Sequence, residues 1–367
     1  MNEMHAIGPL WRELLAADSE YVLATIVAVE GSGYRKAGAR MIVAADGRRA
    51  GTISGGCLEA EVAKKAFWHT ENGPVVRSYS TRAEDGDVPY GMGCGGVVHV
   101  LLERRVTAEP LLHAMERAYK LRLPMGIATV IDGDGVGDRR WRVDGEDATE
   151  GNGAVMLDVS LNAAATTRCS GTSDGIFVEW RAPRTGLLIA GAGNDIQPLT
   201  RMAHELGWFV TIVDGRSHLA TRERFPEADA VLHLSEETLR GITLRPTDAA
   251  AVMSHSLEQD TAVLRFLLQR RLAYLGVLGP RTRTAEIVAE LAEAATPTPD
   301  AAHRLAIQWM TQLHAPMGLD LGGDGATAVT LSILAEIQQS LHERSGRPLR
   351  ELKAEETPST ASLRQEP

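Results

Sequence analysis

The stretch from Leu187 to Arg216, LLIAGAGNDIQPLTRMAHELGWFVTIVDGR, constrains the fold of this chain more than any other. It opens with a short apolar run that has no polar face, which is typical of a buried strand. A glycine turn follows at Gly191 and Gly193, and apolar residues at helical spacing then indicate an amphipathic helix. A second apolar run ends at Asp214. Together these features predict a βαβ unit, the core of a Rossmann-like domain.

The glycine turn also predicts an anion site, because free N–H groups and the helix dipole at a helix N-terminus favour groups such as a diphosphate. Asp214 lies about 20 residues further on, where an acid holds a ribose hydroxyl in dinucleotide-binding domains. The third glycine of that fingerprint is replaced by Ile196, which weakens the prediction. His255 follows another predicted strand, and ligands collect at the carboxyl ends of such strands. We therefore name Gly191, Gly193, Asp214 and His255 as candidate cofactor-binding residues.

Length and composition indicate a globular protein with two domains. The chain has 367 residues, long for a single core, and is 44% hydrophobic and 23% charged. Its formal net charge of −10 argues against a nucleic-acid-binding protein, which normally presents a basic face. The sequence has no apolar run of about 18 residues and no signal-peptide pattern, so no membrane association is predicted. Three widely spaced cysteines predict no disulfide framework, and we expect a cytoplasmic protein.

The order of the predicted elements gives the domain boundaries. Residues 1–182 combine helices, β-rich strands and glycine-rich cysteine loops, which predicts an N-terminal α+β domain. Residues 183–343 continue the strand–helix alternation of a doubly wound parallel sheet, so the fold class is α/β with a Rossmann-like C-terminal domain. Residues 344–367 are polar and contain proline, and we expect a disordered tail.

Two cysteines lie in glycine-rich loops of the N-terminal domain. Cys57 opens a predicted helix, where the helix dipole favours the thiolate form of the side chain. Cys94 lies within GMGCGG, where glycines let a ligand approach the backbone closely. The neighbouring glycines that we include as candidate binding residues are Gly55, Gly56, Gly93 and Gly95. Cys169 has no such surroundings, and we expect it to be structural or incidental.

A basic loop precedes the first of these cysteines. Arg35, Lys36 and Arg40 lie in the glycine-punctuated sequence GSGYRKAGAR, which follows a predicted strand. Arginine and lysine pair readily with phosphate oxygens. The same residues also suit a solvated hairpin end, so the pattern alone leaves both interpretations open.

Several passages together resemble the XdhC/CoxI family, the accessory proteins that mature xanthine dehydrogenase and related molybdenum hydroxylases. They are GSGYRKAGARM followed by GTISGGCLEAEV, the GMGCGG loop, GAGNDIQP with VDGR, and HAPMGLDLGGDGATAVTLSILAEI. The resemblance runs from about Tyr21 to Ile337 and keeps the order of the family's two domains. It implies a maturation chaperone that binds molybdenum cofactor, assists its sulfuration together with a cysteine desulfurase, and delivers it to the apo-enzyme. It also implies a homodimer.

The resemblance further implies roles for the residues named above. Molybdenum cofactor is an anionic pterin with a phosphate and a metal-bound dithiolene, so the basic loop and the glycine-loop N–H groups would meet the phosphate. Cys57 or Cys94 would contact molybdenum or carry a persulfide, and we expect both cysteines to face one pocket. A Rossmann-like pocket would also suit a dinucleotide form of the cofactor.

Two other functions remain open from the sequence. An NAD(P)-dependent oxidoreductase would use the glycine turn for its cofactor and His255 as the acid–base residue. Ile196, and the lack of a Tyr-x-x-x-Lys spacing after the nucleotide unit, count against this alternative. A sulfurtransferase would instead turn over a persulfide on Cys57 or Cys94.

Overall fold

The computed structural model describes residues 3–31, 33–80, 96–143, 157–158, 162 and 170–356 of the chain. The side chains of Cys57 and of residues 353–356 lie outside this description. The chain divides into two compact units, Met1–Arg184 and Thr185–Pro367. The sequence analysis places this division between Ala182 and Pro183.

A five-stranded antiparallel sheet forms the centre of the first unit. Its strands are β1 (Tyr21–Glu30), β2 (Arg40–Ala44), β3 (Arg49–Gly51), β4 (Val75–Ser80) and β5 (Val97–Arg104). They lie in the order β3-β2-β1-β5-β4. Apolar side chains cover both faces of β1, because helices α1 (Glu3–Ala16) and α3 (Arg105–Leu121) pack on one face and α2 (Cys57–His69) packs on the other.

A second antiparallel sheet completes the first unit. Its strands are β6 (Met125–Val130), β7 (Arg139–Val143), β8 (Gly171–Ser173) and β9 (Ile176–Arg181), in the order β7-β6-β9-β8. Two buried ion pairs join it to the first sheet. Arg40 on β2 pairs with Glu179 on β9, and Arg139 on β7 pairs with Glu103 on β5. The four side chains are at most 5% exposed, so these charges are compensated within the protein.

The second unit contains the predicted parallel sheet. Its strands are β10 (Gly186–Ala190), β11 (Phe209–Asp214), β12 (Ala230–His233), β13 (Ala249–Val252) and β14 (Tyr274–Val277). The strand order is β12-β11-β10-β13-β14, and every neighbouring pair is parallel. The order reverses between β10 and β13, so their carboxyl ends form the switch point where open α/β sheets bind ligands.

Helices cover both faces of this sheet. They are α4 (Ile196–Glu205), α5 (Glu236–Gly241), α6 (Leu257–Leu267), α7 (Arg281–Ala295), α8 (Pro299–Gln312) and α9 (Ala326–Leu341). Helices α4 and α9 contribute to one core cluster, and α5, α6 and α7 contribute to the other. Ile196, at the position of the missing third glycine, is fully buried in the first of these clusters. Among the described residues, no helix combines the length and apolar character needed to cross a membrane.

The structure differs from the sequence analysis near the C-terminus. Where a disordered tail was expected, Leu349–Glu356 forms a short helix, α10. The segment is rich in good helix formers, and Glu351 in its first turn contacts Arg347, which precedes the helix, at 3.4 Å. The polar composition that suggested disorder is therefore equally compatible with an exposed helix. Residues 357–367 of the expected tail lie outside the described residues.

Candidate functional site

One end of the antiparallel sheet in the first unit gathers the predicted binding loops. Glu30, the last residue of β1, pairs with Val97 at the start of β5, and Val97 pairs with Ser80 at the end of β4. Met41, near the start of β2, pairs with Gly51 at the end of β3. Residues 31–39 connect β1 to β2 at this end of the sheet, and residues 52–56 lead from β3 into α2. The basic loop and the loop before Cys57 therefore emerge together.

The loop before α2 has the conformation that the sequence predicts. Cys57 is the first residue of α2, and Gly56 has a φ of 126°, a conformation that favours glycine. Gly55 and Gly56 are exposed, and a Cβ on either would meet no atom of the described residues within 4 Å. The backbone beside Cys57 is thus open to a ligand. Cys94, with Gly93 and Gly95, lies outside the described residues, so a pocket shared by both cysteines stays a prediction.

Backbone amides of this loop donate hydrogen bonds to the carboxylate of Glu59. Its Oε1 accepts hydrogen bonds from the Ile53 and Ser54 amides at 3.1 and 2.6 Å, and its Oε2 accepts one from the Gly56 amide at 2.9 Å. Burial opposes ionisation of Glu59, but hydrogen bonds from Ser54 and Thr52 hold the pKa of its carboxyl below the usual value. These three amides therefore serve an internal carboxylate, where the sequence analysis expects them to meet a phosphate.

The three cations of the basic loop have different surroundings. Lys36 is exposed, whereas Arg35 is largely buried and pairs with Glu3 at 3.2 Å. Arg40 is only 2% exposed and makes two hydrogen bonds to Glu179, at 2.9 and 2.6 Å. Contact between Arg40 and an external phosphate does not fit this placement, because the partner on β9 buries its guanidinium. Lys36 is the member of the group that is best placed to meet a ligand.

The glycine turn of the second unit lies at the carboxyl end of β10. Gly191 has a φ of 134°, and a Cβ there would lie 2.6 Å from the carbonyl oxygen of Met253. Only glycine fits this position, because the turn passes directly against the backbone that follows β13. The sequence expectation of a tight turn at the switch point thus agrees with the geometry of Gly191.

Asp214, at the end of β11, is turned into the protein. Its carboxylate accepts hydrogen bonds from the Ala192 amide at 2.8 Å and from the Arg216 amide and side chain at 2.6 to 2.9 Å. Burial opposes ionisation, but the hydrogen bonds from Arg216 keep the pKa of Asp214 below its usual range. Asp214 is fully buried, so this arrangement does not present its carboxylate to a ribose hydroxyl.

His255 lies opposite the glycine turn. It has a φ of 59°, which is uncommon for a residue other than glycine, and its side chain is 61% exposed. His255 Nε2 lies 3.1 Å from Oδ2 of Asp195, the residue that immediately precedes α4. This contact connects the loops that follow β10 and β13 across the switch point. Asp195 was not predicted from the sequence as a site residue, although it directly precedes Ile196, which replaces the third glycine.

A second cluster of polar groups in this unit, centred on Glu336, was not predicted from the sequence. Tyr274 Oη and the Gly318 amide donate hydrogen bonds to Glu336 Oε2 at 2.7 and 2.6 Å, and His314 Nδ1 lies 2.9 Å from Glu336 Oε1. Burial, and secondarily the nearby Glu336 carboxylate, raise the pKa of Tyr274. The cluster joins α9 to the loop HAPMG. Within the described residues, no group of three or more His, Cys, Asp or Glu could hold a metal ion.

Comparison with known proteins identifies the family. Residues 187–337 match the XdhC Rossmann domain, and residues 14–80 match the XdhC and CoxI family. A relative from Bacillus subtilis (strain 168), named as a probable xanthine dehydrogenase component, is 31% identical over 335 residues, which cover 89% of this chain and 95% of that protein. The chain belongs to the XdhC/CoxI family.

Other relatives match over most of their length. The "Molybdenum cofactor insertion chaperone PaoD" of Escherichia coli (strain K12) is 27% identical over 337 residues, covering 89% of this chain and 85% of that protein. A crystal structure of a xanthine dehydrogenase from Bacillus halodurans is similar with a TM-score of 0.74 and 28% identity, covering 96% of this chain and 100% of that one. The matched ranges include Cys57 and the basic loop in the first unit, and the glycine turn in the second.

Proposed function

We propose that this member of the XdhC/CoxI family is a maturation chaperone. In this proposal it binds molybdenum cofactor, assists its sulfuration and delivers it to a hydroxylase of the xanthine dehydrogenase type. The observation that carries the proposal is the similarity to an insertion chaperone over 85% of that protein's length. A cysteine desulfurase partner, a homodimer and a cytoplasmic location belong to the same proposal.

The first unit offers groups that suit the cofactor. The open backbone at Gly55 and Gly56 leaves room beside Cys57, and a thiolate is a soft ligand of the kind that molybdenum accepts. Lys36 lies on a loop at the same end of the sheet and would pair with the phosphate. Because Glu59 occupies the loop amides, we expect side-chain cations rather than amides to hold the phosphate.

Cys94 enters the proposal through the connectivity of the sheet. The strands that flank residues 81–95 pair at Ser80 and Val97, and Val97 also pairs with Glu30, after which the basic loop begins. This connectivity supports a site to which both cysteines contribute, with one contacting molybdenum or carrying a persulfide. The cofactor would supply the redox centre of the client enzyme, and the residues of this chain would hold it, assist its sulfuration and release it.

Activation of a client enzyme tests the proposal. A purified apo-hydroxylase of the xanthine dehydrogenase type would be mixed anaerobically with free molybdenum cofactor, a cysteine desulfurase and L-cysteine as sulfur donor, with and without this protein. We expect the protein to raise the activity recovered by about tenfold, the change that a preference of about 1.4 kcal/mol in binding produces. The matched variants are Cys57→Ser, expected to lose the effect, and Cys169→Ser, expected to keep it. If the client hydroxylase recovered the same activity without this protein, a chaperone role would be ruled out.

A further inference from the structure

The glycine turn of the second unit already holds an anion that the chain itself supplies. A Cβ built on Gly193 would lie 2.3 Å from Oδ1 of Asp195, so the carboxylate lies directly over the backbone of Gly193. In dinucleotide-binding domains, this glycine is small so that a diphosphate can approach the same backbone. The Asp195 carboxylate therefore occupies the space of the diphosphate and carries a charge of the same sign.

Contacts on both sides hold this arrangement. His255 Nε2 lies 3.1 Å from Asp195 Oδ2, which places the imidazole against the carboxylate from across the switch point. Arg224 donates hydrogen bonds to the carbonyl oxygen of Ala192 at 2.7 Å and to Oδ1 of Asn194 at 2.8 Å. The turn is thus built from internal partners on either side of the carboxylate. His255 keeps its uncommon left-handed backbone in this setting, which is typical of a position fixed by its surroundings.

The position that normally receives a ribose is also occupied. Asp214 accepts hydrogen bonds from the Ala192 amide and from Arg216, and it is fully buried. A dinucleotide at this turn would have to displace Arg216 from Asp214 and bring its diphosphate against Asp195. Like charges at such short range repel strongly where water is partly excluded.

We propose that Asp195 closes the glycine turn to dinucleotide diphosphates. Asp195 is then the residue that excludes ligands of the NAD(P) type from the switch point of this Rossmann-like domain. The inference concerns the second unit alone and holds or fails independently of the proposed chaperone function. It also accounts for a Rossmann fingerprint that keeps its first two glycines while using them for internal contacts.

Titration of the full chain with NADPH, followed by cofactor fluorescence, tests this inference. The key variant is Asp195→Asn, which removes the charge with little change of shape. The matched control is Glu205→Gln, which makes the same charge change on an exposed residue at the other end of α4. We expect Asp195→Asn to bind NADPH at least about tenfold more tightly than the parent protein, and Glu205→Gln to match the parent.

Further measurements identify the group responsible. Inorganic pyrophosphate should displace NADPH from Asp195→Asn, and Asp195→Glu, which keeps the charge, should bind no better than the parent. A thermal melt checks folding, and Asp195→Ser replaces the asparagine variant if that variant unfolds. The inference would be overturned if Asp195→Asn, or Asp195→Ser in its place, bound NADPH no more tightly than the parent protein.

Discussion

Substitution of Glu179 by Gln is expected to destabilise the protein by about 3–5 kcal/mol, because it leaves the Arg40 guanidinium buried without its counter-charge. Arg40 is 2% exposed, and both of its terminal nitrogens donate to Glu179. Urea unfolding followed by tryptophan fluorescence measures the change. The control is Glu61→Gln, which breaks an exposed contact with Lys65 in the same unit and should cost no more than about 0.5 kcal/mol. If Glu179→Gln lost no more unfolding free energy than Glu61→Gln, the buried pair would not have the stabilising role argued for it.

The same pair predicts a pH dependence with a defined sign. Burial opposes ionisation of Glu179, but Arg40 and Arg181 lower the pKa of its carboxyl from an ordinary value of 4.5 to about 2. A lowered pKa in the folded state means that the stabilisation is complete above about pH 4.5 and is lost as the pH falls toward 2. The loss amounts to roughly 3 kcal/mol. The difference in stability between the parent and Glu179→Gln should therefore shrink over this range, and a constant difference would be evidence against it.

Substitution of Gly191 by Ala is expected to cost about 2–4 kcal/mol of stability. The residue has a φ of 134°, and the added Cβ would lie 2.6 Å from the carbonyl oxygen of Met253, a backbone atom that cannot rotate away. Urea unfolding would again give the change. Gly241→Ala is the matched control, because Gly241 ends α5 and a Cβ there meets nothing within 4 Å. If both alanine variants were equally stable, close packing at the switch point would not explain Gly191.

The elements that could be predicted from the sequence are those with local signals. The βαβ unit around Gly191 was predictable because an apolar strand, a glycine turn and an amphipathic helix each leave a pattern within a few residues. The start of α2 at Cys57 was predictable for the same reason, since glycines precede a helical run. The XdhC Rossmann match over residues 187–337 confirms the Rossmann-like domain.

The partners of charged side chains could not be predicted in the same way. Arg40 looks like part of a phosphate-binding loop, yet its partner Glu179 lies 139 residues further along the chain. Asp214 occupies the expected position at the end of β11, but its carboxylate already accepts hydrogen bonds from Arg216 and the Ala192 amide. A motif specifies where a charge lies along the chain, whereas burial and pairing depend on tertiary contacts that the motif does not contain.

Glu59 illustrates the same limit at the candidate cofactor site. A glycine loop before a helix predicts free amides, but the carboxylate three residues after Gly56 folds back to accept them. Glu59 makes the glutamate half of a capping box with the Gly56 amide, but the Ser/Thr-x-x-Glu signature is absent because glycine occupies the N-cap position. In the proposed function, the phosphate of the cofactor would therefore be held by Lys36 more than by the loop backbone.

Anaerobic titration of the purified protein with molybdenum cofactor, released from a purified molybdenum enzyme, tests the central claim most directly. The parent protein and Cys169→Ser should bind the cofactor saturably, and Cys57→Ser should bind at least about tenfold more weakly. If Cys57→Ser bound molybdenum cofactor with unchanged affinity, Cys57 would not be a cofactor-binding residue. Absence of saturable binding by the parent protein would contradict the account of this chain as a cofactor-binding chaperone.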